Sequence, residues 1–359
     1  MSAGTAAASA SLPRVGAPVS PAPRDLWQDV WRRDPEALVT QSPAWTDAMC
    51  RRGYRDVSRC YELSGGRRVV LPMVRRRGVI PGPVAIRYSP PPAWGMGGMI
   101  ADGPISPEEL GAIVDDLRSQ PVLSTRIRPN PLHADLWSAA ESHGAIPTER
   151  LAHVVDLEGG SAAVWKQLSR NARWGVGKAQ RAGVEVECDT TGRLVPEFYG
   201  LLERSVERWA THQHEPLALA RWRARRRDPI SKLQAMAAAL GDAMCVWVAR
   251  HEGRPAAGAI VLTGANAHDT KAAIDREIAG PTHANDLVLW LAIEAACEAG
   301  CRRYHLGESG SSRPLARYKE KFAARPVPYS EYRIERLPLG RADTLARESV
   351  KRVLGFRDA

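Results

Sequence analysis

Lys319 stands in the run Arg317-Tyr318-Lys319-Glu320-Lys321, just after the segment Gly307-Glu308-Ser309-Gly310-Ser311-Ser312. A lysine behind a glycine- and serine-rich loop, which brings backbone N–H groups close together, suits one task well. It can hold the negative charge that develops on an oxygen during acyl transfer. Tyr318 beside it either packs beneath such a site or shares a proton in it. Ser309, Ser311 and Ser312 can donate hydrogen bonds to a carboxylate or phosphate, and serines of this kind also fill plain flexible loops. An amine that is to be acylated must lose a proton. Asp102, in a turn before Gly103-Pro104, is the candidate base. No Ser-His-Asp or Cys-His order is visible, so direct transfer without a covalent acyl-enzyme is expected.

A second group of residues points to an anionic partner. Arg221-Trp222-Arg223-Ala224-Arg225-Arg226-Arg227 could track a nucleic-acid backbone and stack one base, or form a solvated helix face. The chain of 359 residues carries 50 basic and 40 acidic residues, a formal charge of +10. That balance favours nucleic acid, a phosphorylated cofactor or a phosphate-bearing substrate, and an arginine-rich composition produces it as well. His212-x-His214 has no Asp, Glu or Cys partner at ligand spacing, so no metal is expected. Six cysteines without a CxxC pair argue against a disulfide framework and a structural zinc. Cys297 and Cys301 read as inert core thiols. Trp165, Trp209, Trp247 and Trp290 fall in core-type elements. No apolar run reaches the roughly 18 residues of a membrane span, and the N-terminus lacks the order of a secretory signal, so a cytoplasmic protein is expected.

The elements that must position these residues divide the chain in two. Residues 1–24 are Ala, Ser, Pro and Gly without a period and read as a disordered tail. Residues 25–150 form a first unit: a helix over 44–52, strands over 57–63 and 67–74 around Ser64-Gly65-Gly66, and a proline-rich loop. A helix over 107–120 capped by Ser106, a strand over 122–127 and a helix over 134–143 complete it. Residues 151–340 form a second unit. It opens with a strand over 153–157, a long basic helix over 161–183, a strand over 184–188 and a helix over 194–212. A helix over 231–240 precedes three strands over 243–250, 256–263 and 267–275, the first two joined through Gly253. The pattern then gives an apolar helix over 287–299 capped by Asn285 or Asp286, a strand over 303–306, a short helix over 314–324 and a strand over 330–335. Residues 341–359 read as a basic amphipathic helix. The sum is a mixed α/β protein.

The order of these motifs resembles the FemAB/FemX family, a branch of the GNAT-like acyltransferases that includes aminoacyl-tRNA-dependent peptidyltransferases. The resemblance rests on QSPAWTDAMCRRGY and RRVVLPMVRRR in the first half, SRNARWGVGKAQRAGVEVE at 169–187, the three-strand meander, and RPLARYKEKFAARPVPY at 313–329. It implies two GNAT-like subdomains with a central cleft. It places the Tyr318-Lys319 pair at the reacting centre. It assigns substrate or phosphate binding to the basic helix at Arg170, Asn171, Arg173 and Lys178. The residues themselves add the loop at Gly307, Ser309 and Ser311 to that binding, and tracking of tRNA to Arg221, Trp222, Arg223, Arg225, Arg226 and Arg227. The donor it implies is aminoacyl-tRNA, and the acceptor an amine on a small molecule or peptide, with no bound cofactor. The stretch from Arg276 to His283 lacks the glycine spacing of a CoA pyrophosphate loop. An acyl-CoA-dependent N-acetyltransferase is the rival enzyme, and a catalytically idle module that binds RNA or a partner is the alternative from another class.

Overall fold

The computed structural model describes residues 15–335 apart from 79–81, 83 and 311. The first half contains α1 (Arg24–Arg33), α2 (Pro43–Arg51), β1 (Tyr54–Asp56), β2 (Arg59–Glu62), β3 (Arg68–Leu71), β4 (Val74–Arg76), β5 (Ile86–Ser89) and β6 (Ile100–Ala101). It continues with α3 (Pro107–Ser119), β7 (Ser124–Ile127), α4 (Ala134–Ser138) and the long strand β8 (Ile146–Asp156). The second half runs α5 (Gly160–Gln167), α6 (Arg170–Arg181), β9 (Glu185–Asp189), α7 (Val195–His212), α8 (Leu217–Arg227) and α9 (Ile230–Leu240). Then come β10 (Met244–His251), β11 (Arg254–Thr263), β12 (Ala267–Ile274), α10 (Arg276–Thr282), α11 (Ala284–Glu298), β13 (Arg303–Glu308), α12 (Arg313–Glu320) and β14 (Arg325–Glu335).

Local chemistry explains most boundaries. Ser106 and Glu109 form a reciprocal capping box at the start of α3. The basic helix expected over 161–183 is two helices. Leu168 is extended, and the Ser169 hydroxyl accepts from Ala172 N at 3.1 Å, restarting the helix as α6. The apolar helix expected to be capped at Asn285 or Asp286 starts earlier. His283, at φ 58°, precedes it, and Asp286 lies inside its first turn. The stretch before it, to which the sequence pattern assigns no element, is α10, with the Asp275 carboxylate accepting from Glu277 N at 3.1 Å.

Eleven strands join in one sheet in the order β1-β4-β5-β7-β14-β8-β13-β12-β11-β10-β9, and β2-β3-β6 form a second. Each half repeats one pattern. Antiparallel neighbours lead to a single parallel step, β5 beside β7 in the first half and β12 beside β13 in the second. This is the arrangement of two GNAT-like subdomains. The halves share their junction strands, because β14 pairs with both β7 and β8 while β8 also pairs with β13. Residue 150 therefore lies inside a strand. One apolar cluster packs α6 and α11 on one face of the second half, and another packs α2, α7 and α9 on the opposite face.

Two expectations change on contact with the fold. Residues 15–23 are not a loose tail. Gly16 N donates to Glu62 O, Val19 bridges Cys60, and Ala22 is buried with its N–H on Ser58 Oγ at 3.1 Å. Backbone pairing to β2 offsets the low apolar content that suggested disorder. One disulfide, Cys188–Cys245, links β9 to β10. Its partners stand 57 residues apart, a pairing that only the sheet register brings together. Cys301 is buried and Cys297 half-buried, both as free thiols that burial pushes up in pKa. The helix expected over 341–359 lies outside the described residues.

Candidate active site

The site begins at a break in the sheet. β12 and β13 pair only at Ala267↔Tyr304 and His268↔His305. Beyond that point both strands slip against their other neighbours, β12 against β11 at Ile260/Val261 and β13 against β8 between His305 and Glu308. The Thr270 hydroxyl fills the first irregularity by donating to Ile260 O at 3.0 Å. Such bulges re-aim side chains and end pairing, and here they leave an opening between two parallel strands.

Lys319 reaches into this opening from α12. It is buried, and its Nζ donates to Gly307 O at 3.0 Å and Glu308 O at 2.7 Å. Gly307 holds φ +67°, which presents its carbonyl at the bend. An ammonium has three donors, so one remains for a substrate. Burial pulls the Lys319 pKa down to about 8, while Asp269 and Glu308 pull it back up. Across the opening, desolvation raises the Asp269 carboxyl on β12 to about 7, against the pull of Lys319. A carboxyl and an amine, each moved toward neutrality and each affecting the other, make a proton-handling pair.

His153 on β8 completes the interior. It is fully buried, with Nδ1 3.2 Å from the Ser309 hydroxyl and Nε2 3.8 Å from Glu320 Oε1. Burial first, and then the Lys319 charge, lower its pKa, which keeps the ring neutral at pH 7. Tyr329 donates to Glu308, and Arg128 and Arg150 both bond Glu331, at 3.2 and 3.1 Å.

The remaining residues singled out in the sequence sort by position. Ser309 and Gly307 lie beside Lys319, and Ser311 is outside the described residues. Tyr318 turns away toward α11. Its hydroxyl accepts from Asn285 Nδ2 at 2.9 Å and donates to Asn285 O at 3.2 Å, and Lys321 sits over its ring. Asp102 lies in the small sheet, accepting from Arg68 N at 2.6 Å, and no contact among the described residues links it to Lys319. Its carboxylate ties the chain just after β6 to the start of β3. Arg173 caps α5, donating to Trp165 O, Lys166 O and Leu168 O. Arg170 and Asn171 are exposed, and Lys178 stands over the exposed Trp174 ring at 5.0 Å.

The α8 cluster is neutralised by acids nearby. Arg221 pairs with Glu207, Arg223 with Glu215, Arg225 with Glu203 and Arg227 with Asp228. Arg226 lies over the Trp222 ring at 5.3 Å. Asp269 and His153 went unnoticed in the sequence. The signal for Asp269 was present: His268-Asp269-Thr270-Lys271 interrupts the middle of an otherwise apolar strand.

A buried carboxylate occupies the start of α11. Asp286 accepts from Lys321 Nζ at 3.0 Å and lies 3.0 Å from His283 Nδ1, while His283 O takes the N–H groups of Asp286 and Leu287. A Cβ on Gly175 of α6 would overlap the Asp286 carboxylate, so only glycine lets the two helices close at this point.

Comparison with known proteins agrees with this geometry. Residues 163–320 match the family model described as acetyltransferase (GNAT) domain. No curated protein matches in sequence. Among solved structures, the fold superposes on FemX with a TM-score of 0.67 at 11% identity, covering 91% of this chain and 99% of that one. A tandem GNAT protein from the clavulanic acid biosynthesis pathway superposes with a TM-score of 0.51 at 14% identity, covering 90% of this chain and 99% of that one. A Bacteroides thetaiotaomicron protein of unknown function gives a TM-score of 0.51 at 12% identity, with 86% and 95% covered. Residues 163–320 thus carry the match to a GNAT acetyltransferase domain, which supports an acyltransferase, and the chain as a whole has a fold like that of FemX.

Proposed function

We propose that the chain moves an aminoacyl group from aminoacyl-tRNA to an amine on a small molecule or peptide, such as a specialised metabolite or a peptidoglycan precursor. The observation that carries this reading is the Lys319–Asp269 pair at the opening between β12 and β13. The acceptor enters as its ammonium and gives a proton to the Asp269 carboxylate. The free amine attacks the ester carbonyl, forming the C–N bond, and the third Lys319 proton faces the oxyanion. On collapse the C–O bond breaks, and the ribose oxygen leaves with a proton from Lys319. Asp269 returns its proton to Lys319, and the amine's second proton leaves to solvent.

Three features support tRNA as donor over acyl-CoA. The segment at 276–282 is helical, where a pyrophosphate would call for a loop of converging N–H groups. The third and fourth N–H groups of α11, those of Asp286 and Leu287, are already bonded to His283 O. A buried carboxylate, Asp286, stands where a diphosphate would bring further negative charge. The acetyltransferase description of the matching family favours acyl-CoA as a second reading.

Binding of aminoacylated and uncharged tRNA, and of acetyl-CoA, across a salt series separates the two readings. The proposal expects preference for charged tRNA and RNase-sensitive amide formation. Saturable acetyl-CoA binding, with RNA binding that is non-selective and lost steeply in salt, would sink it.

A further inference from the structure

Helix α6 keeps its charge, unlike α8. Its 12 residues include Arg170, Arg173, Lys178 and Arg181 and no acid. Arg173 is used on the end of α5, donating to Trp165 O, Lys166 O and Leu168 O. Arg170, Lys178 and Arg181 have no ion pair among the described residues. With Trp174 they fall at i, i+4, i+8 and i+11, which a helical turn of 3.6 residues places on one stripe. The stripe runs about 16 Å along the helix. Arg170, Trp174 and Arg181 are exposed on it.

Trp174 is 52% exposed. A scattered surface aromatic calls for no explanation, but this ring is held in place. His283 meets it edge-on, with ring centroids 4.9 Å apart and planes at 83°. Asp286 in turn lies 3.0 Å from His283 Nδ1. Lys178 Nζ stands 5.0 Å from the indole centroid, a cation–π contact. A fixed aromatic face beside uncompensated cations is what stacks a nucleobase and draws its phosphates. Trp222 on α8 is as exposed, but the arginines around it are matched by acids.

Contacts tie the indole to the helix that carries Lys319. Asp286 is buried and already met by Lys321 Nζ at 3.0 Å, and Asn285 Nδ2 donates to the Tyr318 hydroxyl at 2.9 Å. Tyr318 and Lys321 stand on either side of Lys319 at the end of α12. Buried residues of α6 and α11 and Phe322 just after α12 share one apolar cluster, so the stripe and the Lys319 helix belong to the same face of the second half. We propose that Trp174 stacks the terminal adenine at the 3′ end of the RNA donor, with Arg170, Lys178 and Arg181 along the phosphates that lead to it. The site rests on the aminoacyl-tRNA reading for its ligand, and it seats the reacting end of the RNA.

The test measures anisotropy of a labelled RNA hairpin with a 3′-CCA end, and of the same hairpin lacking the terminal adenosine, across a salt series. Wild type should bind the complete end about tenfold more tightly, the size of one base–aromatic stack. Trp174→Leu should bind both hairpins alike, and Trp174→Tyr should restore the preference. Both variants keep apolar bulk against His283, and the ratio of two hairpins on one protein reads the stack even where thermal melting shows a loss of stability. Lys178→Gln should weaken both hairpins alike and reduce the slope of log K against log salt by about one. Trp209→Leu is the control, a surface indole of α7 with Arg208 5.9 Å from its ring. Equal affinity of wild type for the two hairpins overturns the proposal, as does a preference that survives Trp174→Leu or is lost equally in Trp209→Leu. So does Trp174-dependent displacement of the hairpin by acetyl-CoA as readily as by unlabelled RNA, which would assign the stack to the adenine of CoA. The same variants are titrated with a hairpin bearing a 3′-alanylamido group, a stable form of the charged end. Preference for that group with no effect of Trp174 overturns the stacking site alone. Dependence on Trp174 with no preference for the aminoacyl group overturns the donor reading alone.

Discussion

Asp269 and Lys319 face each other across the strand opening with pKa values of about 7 and about 8. The raised Asp269 is the carboxylate above its midpoint, and the lowered Lys319 is the ammonium below its own. Transfer that needs both forms peaks between the two values, and its pH–rate profile should be bell-shaped. Asp269→Asn should lower the rate by about 10²–10⁴ and remove the limb near pH 7. A limb that persists in this variant would place the base elsewhere, and one below the ordinary histidine range would point to His153, whose pKa burial lowers. Lys319 was legible in the sequence because its neighbours are loop residues and a short basic helix. Asp269 was not: the polar run His268–Lys271 marks its strand, but only the bulge at Thr270 turns it toward the opening. Arg173 looked like a phosphate ligand for the opposite reason. Helix α5 ends before it, and its guanidinium is used on that end.

Element boundaries depend on pieces the linear pattern does not display. The meander β10–β12 was visible, since alternation and the Glu252-Gly253 turn are local features, both residues holding positive φ. The buried ion cluster below it was not. Lys232 of α9 donates to Asp228 Oδ1 and to Ala93 O, both at 2.8 Å, and lies over Trp94. Lys271 of β12 meets the other Asp228 oxygen at 3.0 Å. These contacts pin α8, α9 and β12 to the proline-rich loop of the first half. Burial favours the neutral acid, but the two lysines outweigh it and hold Asp228 at about 2. Its contribution is therefore complete above the ordinary aspartate range and fades as pH falls toward 2. Asp228→Ala strands two buried cations and should cost about 3–5 kcal/mol, read as a shift in the urea midpoint. A change below about 0.5 kcal/mol would show that water already screens the cluster.

For the whole molecule, the two-subdomain reading was correct as a pattern, and the sheet shows why a boundary at residue 150 does not cut it. Eleven strands run without interruption from β1 to β9, with β8 and β14 exchanged between the halves. A shared sheet couples the halves, so calorimetry should show one unfolding transition with matching van't Hoff and calorimetric enthalpies. Two resolved transitions would show that the exchanged strands bind weakly. Charge acts at this scale as well. The formal +10 suggested RNA, and the most obvious arginine cluster, on α8, spends its charge on α7 and nearby acids. Charge without a paired acid among the described residues lies on α6 instead, and the contrast emerges only once the partners of each side chain are known.

The placement of β14 has a consequence for how the protein is made. Residues 325–335, the last described strand, occupy the fifth of eleven positions, between β7 and β8. A ribosome delivers the chain from its N-terminus. From residue 127 for β7 and residue 156 for β8 until residue 325 is made, these two strands therefore wait with the edges that β14 will fill open. Transfer activity should appear only when residue 335 has cleared the exit tunnel, and until then the nascent chain exposes two unpaired strand edges that a chaperone can recognise.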